Sequence, residues 1–380
     1  MIEFLIISFS ALSVIYTAFL LLVLIGIKNT RKLTKTSPKN NFETVTVIVP
    51  FRNEELNIKN SFDSLIKQSY PGKYEIIFID DNSDDNSVKI LSESVKNSGA
   101  DNVKIHRAEG EKAFQKKKAA VEFGLKNAVG EIIITTDADC THTENWILKM
   151  VSQFDSNTGF VSGPVKFEDE SSFFRKMQIL EFVGLILTGA GLIGLKYPTI
   201  CNGANIAYRK KTFFEVDGFS GNDNLSSGDD EFLMQKISKT KNYDVKFCFD
   251  EEAVVHTESQ SSLSKFFNQR KRWASKSFFY QDKKLITLLL SLFIYFVSLP
   301  LQFILGIFVD ILFLYSFSLF AGLKIVLEFF VLSMGNNLFK NKIDPVVFII
   351  SELVHPSYIM ISSVLGLIGN FEWKGRQLKR

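Results

Sequence analysis

Apolar residues are segregated along this chain. Phe4 to Ile27 carries no charge. Leu285 to Leu332 is broken only by Asp310, Lys324 and Glu328, and Pro345 to Gly369 forms a further, largely apolar block. About 20 apolar residues suffice to cross a bilayer core, so residues 1–28 are expected to form one transmembrane helix. A cleaved secretory signal would have a basic start and an apolar run of roughly 7–15 residues, whereas this one begins MIEF and runs longer. Lys28, Arg31, Lys32, Lys35 and Lys39 follow it, which places the N-terminus outside and the next domain in the cytoplasm. Residues 29–44 read as a polar linker. In the C-terminal region, 285–370, spans are expected at Leu285–Ile307, Ile311–Leu332 and Pro345–Gly369. Three spans would leave the basic tail, 371–380, outside. A fourth or re-entrant segment at Ile325–Phe339 would return it to the cytoplasm.

The polar middle has another rhythm. Val45–Phe51, Glu75–Asp81, Val103–Ala108 and Glu131–Asp137 are short β-branched runs. Helical spacing fills the gaps, roughly at Glu54–Gln68, Asn86–Lys96 and Lys112–Ala128. Strands alternating with helices imply an α/β domain with a mainly parallel sheet, placed at residues 45–282. Gly159 to Lys166 reads as a strand and turn. Ser171 to Leu195 starts amphipathic and becomes apolar and glycine-rich. It is either a core helix or a piece lying on the membrane face, and the second is preferred. Leu225 to Ile237 reads as a helix opening with Asp229, Asp230 and Glu231. Phe266 to Tyr280 is basic and aromatic, as a helix beside lipid headgroups would be.

Composition narrows the function. A formal charge of +3, with no basic stripe interleaved with aromatics, argues against a nucleic-acid partner. Cys140, Cys201 and Cys248 are far apart and odd in number, which excludes a full disulfide framework and zinc spacing and fits a reducing compartment. His106, His142, His256 and His355 have no metal-ligand spacing, and His256 is expected to be structural.

Candidate chemistry gathers after the strands, where ligands of open α/β sheets bind. Pro50, Arg52, Asn53 and Glu54 follow the first run, Asp80, Asp81, Asn82 and Ser83 the second, and Asp137 and Asp139 the fourth. In extended backbone Asp137 and Asp139 leave one face. Two such acids suit a hard divalent ion, with substrate phosphates completing its shell. The expectation is Mg²⁺ or Mn²⁺ on Asp139 and Asp137, holding a nucleotide diphosphate that carries a sugar. Of Lys116, Lys117 and Lys118, the last is expected to reach the phosphates. Acids in a first helical turn are favoured by the dipole. Three exceed what a cap requires, leaving room for a general base.

Six segments in order, VIVPFRNEE, IDDNSDD, KKAAVEFGLKNAVGEIIITTDADC, NGANIAYRKKTFFEVDGF, GDDEF and QRKRW, span residues 45 to 273. Together they resemble the family 2 glycosyltransferases, in particular the membrane-bound group related to cellulose, chitin and hyaluronan synthases. The resemblance implies a Rossmann-like nucleotide-diphospho-sugar transferase fold of GT-A type. It implies donor contacts from Pro50, Arg52, Glu54, Asp81, Lys118 and Asp137, and from Gln269, Arg272 and Trp273 of a Q-x-x-R-W motif. It assigns the metal to Asp139 and Asp137, and the base to Asp230 with Asp229 beside it. Asn202, Gly203 and Trp273 fall on the acceptor side. The implied enzyme is a membrane-bound inverting glycosyltransferase of the cell membrane with a cytoplasmic catalytic domain. It would move a sugar from a UDP-sugar to a lipid-linked or glycan acceptor. Two positions depart from the family pattern: Lys117 stands where glycine is usual, and Asp229-Asp230 where Glu-Asp is usual. The C-terminal region is small beside that of polymer-extruding synthases, which favours single transfer over a processive polysaccharide synthase. A membrane nucleotidyltransferase releasing pyrophosphate, or a catalytically inactive scaffold, are the alternatives of another class. Retention of Asp81, Asp137, Asp139 and Asp230 counts against the scaffold.

Overall fold

The computed structural model describes residues 2–34, 42–107, 117–168, 170–221, 228–367, 371–373 and 376–378. Lys116, residues 35–41 of the linker, Leu225 to Ser227 and the side chains of the basic tail lie outside the described residues.

A long helix, α1 (Ile2–Leu33), precedes the α/β domain. The domain begins β1 (Val45–Phe51), α2 (Ile58–Leu65), β2 (Tyr74–Asp80), α3 (Ser87–Ser98), β3 (Val103–Arg107), α4 (Lys117–Asn127) and β4 (Ile132–Thr135). It continues β5 (Thr141–His142), α5 (Trp146–Ser152), β6 (Thr158–Ser162), β7 (Val165–Phe167), α6 (Phe173–Gly194), β8 (Ile206–Arg209), α7 (Lys210–Glu215), α8 (Asp229–Lys239), β9 (Asp244–Phe247), β10 (Val255–Thr257) and α9 (Leu263–Ser275). Helices α10 (Lys283–Phe308), α11 (Ile311–Met334), α12 (Asn336–Phe339) and α13 (Pro345–Leu367) and a small hairpin, β11 (Phe371–Trp373) and β12 (Arg376–Leu378), follow.

The main sheet has the order β3-β2-β1-β4-β8-β6-β9. Its first four strands are parallel, and β8 runs antiparallel to both neighbours. A second sheet, β5-β10-β7, covers one end. Every residue of β1 and β4 is buried, as expected of a parallel sheet covered on both faces. The chain moves outward from β1 to β2 and β3, then returns to the other side of β1 as β4. That reversal is the topological switch point, where a crevice opens. β1 and β4 pair only as far as Ile48 and Thr135. Pro50 lies beyond the last pair, so its missing N–H takes no bond from the sheet on that side. Asn53 and Asn82, just past β1 and β2, have φ of 52° and 61°. Asparagine tolerates this left-handed region better than most residues.

Among the described residues, five helices are long and apolar enough to cross a membrane: α1, α6, α10, α11 and α13. In α6, 67% of the apolar window is buried inside the chain, against 22–33% in the other four. The preference for a piece lying on the membrane face therefore gives way to the core-helix alternative: α6 packs against α1, α11, α13 and β7. Its glycines are the reason. Gly26 of α1 meets Gly191 and Gly194 of α6 with backbone against backbone. Thr30 also donates its hydroxyl to the Ala190 carbonyl at 2.8 Å. Small residues permit such close approach between helices where no water drives association.

The segment Ile325–Phe339, weighed as a fourth or re-entrant span, forms no separate long helix of its own. Its first part completes α11, and the four residues of α12 follow at the domain surface. There Lys166 Nζ donates to the Phe339 carbonyl at 3.1 Å, and Lys340 pairs with Glu251 at 3.5 Å. The second half of α13 runs beside α9, with Phe266 against Tyr358 and Ala274 against Gly366. Within the helices Lys324 pairs with Glu328 at 3.0 Å, as their spacing suggests, and also with Glu352 of α13. Tyr16 of α1 donates to Glu328.

Candidate active site

The strand ends, α8 and α9 converge on one cleft of about 450 Å³. Asp81, Asp137, Asp139, Asp229, Asp230 and Arg272 all line it. Each arrives for a local reason. β4 stops at Thr135, and residues 137–140 turn, closed by Cys140 N–H to the Asp137 carbonyl at 3.2 Å. Asp137 and Asp139 thus share the cleft through a turn, not through the alternation of an extended strand. Asp81 follows β2 and donates its N–H to the Phe51 carbonyl at 2.8 Å, which ties the ends of β1 and β2 together. Gly228 caps α8 with φ of 89°, a conformation open to glycine at little strain. Gly228 has no side chain with which to cap the helix. The acids that follow it line the cleft, and Asp230 sits so close to Gly203 that a Cβ there would lie 3.0 Å from its Oδ2. Glu231, fully buried, accepts from Lys276 Nζ at 2.6 Å and from the Tyr280 hydroxyl at 2.7 Å, which fixes the start of α8 to the segment after α9.

The electrostatics record the crowding. Burial first, and the Asp137 charge second, push the Asp139 carboxyl up to about 6. Burial and Asp230 likewise raise Asp229, with Lys117 pulling the other way. Burial depresses Arg272 against the opposing pull of Asp137, Asp230, Asp229 and Asp139, so its guanidinium lies in the field of all four acids. Two carboxylates set side by side, with the charge on one hindering ionisation of Asp139, are a donor set that fits a hard divalent cation, since such an ion takes oxygen ligands and brings positive charge.

Not every expected residue has the expected place. Lys117, not Lys118, pairs with Asp137 and lines the cleft. Burial opposes its ammonium, but Asp137 and Asp229 more than compensate and its pKa is raised. Lys118 is buried within α4, and its charge favours the ionised form of Asp229. Arg52 lines the cleft beside Pro50, with its guanidinium held by the Asp81 carbonyl at 2.9 Å and by Asp84 at 2.9 Å. Glu54 is buried, accepts from Asn57 at 3.1 Å, and is a brace of the β1–α2 connection. Asn202 and Gly203 form the wall opposite α8. Gln269, Arg272 and Trp273 of α9 line the cleft, so this helix does more than meet headgroups. Sequence reading did not find Glu181, Arg270, Lys276 or Tyr358, because each is placed by a partner distant in the chain. His256 pairs with Glu168 at 2.7 Å, outside the acidic cleft, in keeping with a structural histidine. The three cysteines are free.

Residues 46–219 match the sequence model of Glycosyl transferase family 2, so the chain carries a glycosyltransferase family 2 domain. Two curated poly-beta-1,6-N-acetyl-D-glucosamine synthases from Staphylococcus epidermidis are 26% and 25% identical to it over 249 residues. These alignments cover 64% of this chain and 57% of theirs, so the chain matches little more than half the length of those relatives. Among solved structures, a mannosyltransferase from Pyrobaculum calidifontis in complex with GDP-Man and Mn²⁺ shares the fold. Its TM-score is 0.56 at 18% identity, covering 94% of this chain and 99% of that one.

Proposed function

From a family 2 glycosyltransferase domain with its acids gathered in one cleft, we propose a membrane-bound inverting glycosyltransferase that transfers a sugar from a UDP-sugar to a lipid-linked or glycan acceptor. One observation carries this reading: Asp81, Asp137, Asp139, Asp229 and Asp230 meet Lys117 and Arg272 at the switch point of the sheet. Asp139 and Asp137 would hold Mg²⁺ or Mn²⁺, which when bound supplies Lewis-acid neutralisation of the diphosphate. Lys117 takes the place expected of Lys118. Together with Arg272 it sets fixed positive charge where the departing nucleotide gains negative charge. Asp81, Pro50 and Arg52 form the nucleotide end. Asp230, against Gly203, accepts the proton of the acceptor hydroxyl as that oxygen bonds to the anomeric carbon and the carbon–phosphate oxygen bond breaks. Trp273, Asn202 and Gly203 form the acceptor end.

In this reading α1, α10 and α11 cross the cell membrane and α6 is buried within the chain. Helix α13, expected as a third C-terminal span, lies along the domain because its second half runs beside α9. The N-terminus is outside and the domain and basic tail are cytoplasmic, which removes the conflict with the positive-inside rule. Likeness to polymer-forming relatives favours a second reading, a processive synthase of the same family. Purified protein offered a panel of UDP-sugars with membrane lipid extract tests both. Labelled product of one added sugar supports single transfer, a ladder supports the synthase, and released pyrophosphate from a nucleoside triphosphate would point to a nucleotidyltransferase.

A further inference from the structure

We infer that Arg270, held by Glu181, is a positioning residue that sets Trp273 and Gln269 at the acceptor end of the cleft; this rests on the glycosyltransferase reading. Arg270 is the second residue of QRKRW, outside the Q-x-x-R-W pattern, and only 5% of it is exposed. A buried guanidinium is tolerated only when paired and hydrogen-bonded. Here its Nε donates to Glu181 Oε1 at 3.1 Å and its Nη2 pairs with Glu181 Oε2, a fork-to-fork bond from α9 to α6. Its remaining nitrogen, Nη1, donates to Gln269 Oε1 at 2.6 Å. The guanidinium also lies between two rings, 4.4 Å from Phe266 and 4.3 Å from Trp273. Phe266, Arg270 and Trp273 follow the i, i+4, i+7 spacing of one helix face, so the stack is built into the sequence of α9. Trp273 in turn stacks on Phe182, the residue after Glu181, with centroids 5.9 Å apart.

The arrangement has a direction. Every bond of the guanidinium ends either on α6, which is backed by α1, or on a residue that lines the cleft. Gln269 cannot turn its carbonyl oxygen toward the cleft while Arg270 holds it, so its amide nitrogen is the group available to a ligand. Trp273 cannot rotate without leaving both the cation and Phe182. Lysine could occupy the space and keep the charge, but it has no planar fork with which to bond Glu181 and Gln269 together.

Arg270→Lys and Glu181→Gln are the test variants, since each nearly preserves volume. Three measurements decide. UDP affinity with Mn²⁺ is expected to stay within about twofold of wild type, because Gln269 and Trp273, which the resemblance gave as donor contacts, sit at the acceptor end in this inference. Acrylamide quenching of Trp273, isolated as the difference from the matching Trp273→Phe protein, is expected to rise about twofold or more as its two flanking groups loosen. With octyl β-N-acetylglucosaminide as acceptor probe, KM for the probe is expected to rise at least about tenfold at unchanged KM for the sugar nucleotide, a loss typical of a slightly misplaced substrate. The reciprocal exchange, Glu181→Arg with Arg270→Glu, is expected to recover part of the quenching protection. Unchanged Trp273 quenching in both folded single variants would overturn the inference, as would equal losses at donor and acceptor. If wild type transfers no sugar to the probe, the function reading is at fault, and the quenching comparison still decides the clamp.

Discussion

The seam between α1 and α6 makes a demanding prediction. A methyl group on Gly26 or on Gly194 would place its carbon 2.0 Å from the backbone oxygen of Gly191 or Gly26, respectively. On Gly191 the carbon would lie 2.8 Å from the Val23 oxygen. Ordinary carbon–oxygen approach is about 3.3 Å or more. Gly26→Ala and Gly194→Ala therefore require the helices to part by more than about 1 Å, and Gly191→Ala by about half that. Two effects compete. Alanine gains up to about 1 kcal/mol over glycine in helix propensity. Overpacking a tight contact costs about 1–3 kcal/mol, and backbone atoms cannot rotate away. At Gly26 and Gly194 the clash is expected to win by roughly 2 kcal/mol; at Gly191 the two nearly cancel. Gly322 of α11 is the internal control, because nothing lies within 4 Å of its would-be Cβ. Gly322→Ala should be neutral or slightly stabilising. Thermal midpoints of the purified proteins in one detergent would show this ranking. Because α6 also lines the cleft through Phe182 and Ile186, transfer should fall along with stability at Gly26 and Gly194. Equal midpoints for Gly26→Ala and Gly322→Ala would refute the close-packed seam.

Four further outcomes are expected. Asp230→Asn should bind UDP normally and lose about 10²–10⁴-fold in turnover, the worth of a general base; retained turnover removes the assignment. Lys324→Met strands Glu328 and Glu352 without their buried cation and should destabilise by about 3–5 kcal/mol, with partial recovery on adding Glu352→Gln; equal stability of all three proteins contradicts it. His142, buried between Ser64 and Thr136, has its pKa lowered from 6.5 to about 3 by burial and then by His256. Between those values the unfolded chain binds a proton that the native site refuses, so stability should fall by about 1.4 kcal/mol per pH unit below 6.5, or about 2 kcal/mol at pH 5. His142→Gln should flatten that slope, read from denaturation midpoints between pH 5 and 7.5. A fluorescent reporter fused after Arg380 should light up and a periplasmic phosphatase fused there should stay inactive; the reverse pattern would reject the three-crossing arrangement.

Much of the domain is legible in the chain because its strands are short β-branched runs with polar residues at their carboxyl ends. Val45–Phe51 and the three strands parallel to it could be read that way, and Asp81, Asp137 and Asp230 followed. The parts that resisted depend on distance or phase. Lys117 rather than Lys118 pairs with Asp137, a shift of one residue, and one residue is about 100° around a helix. β9 (Asp244–Phe247) has too few residues to show a period. Lys324 and Glu328 are readable as an i, i+4 pair, but Glu352 is brought in by another helix. Arg270 looked like part of a headgroup-binding face because nothing in its own segment reveals Glu181. The apolar run of α6 does not distinguish lipid from protein as its surroundings; its glycines do, once their partner in α1 is known.

The central claim is that Asp139 and its neighbours hold a cation that in turn holds the nucleotide. Calorimetric titration of UDP into the purified protein tests it most directly, in Mn²⁺, in EDTA, and in Mn²⁺ with Asp139→Asn. The account expects binding in the first case and at least a tenfold weaker affinity, about 1.4 kcal/mol, in the other two. Equal affinity in all three would contradict it.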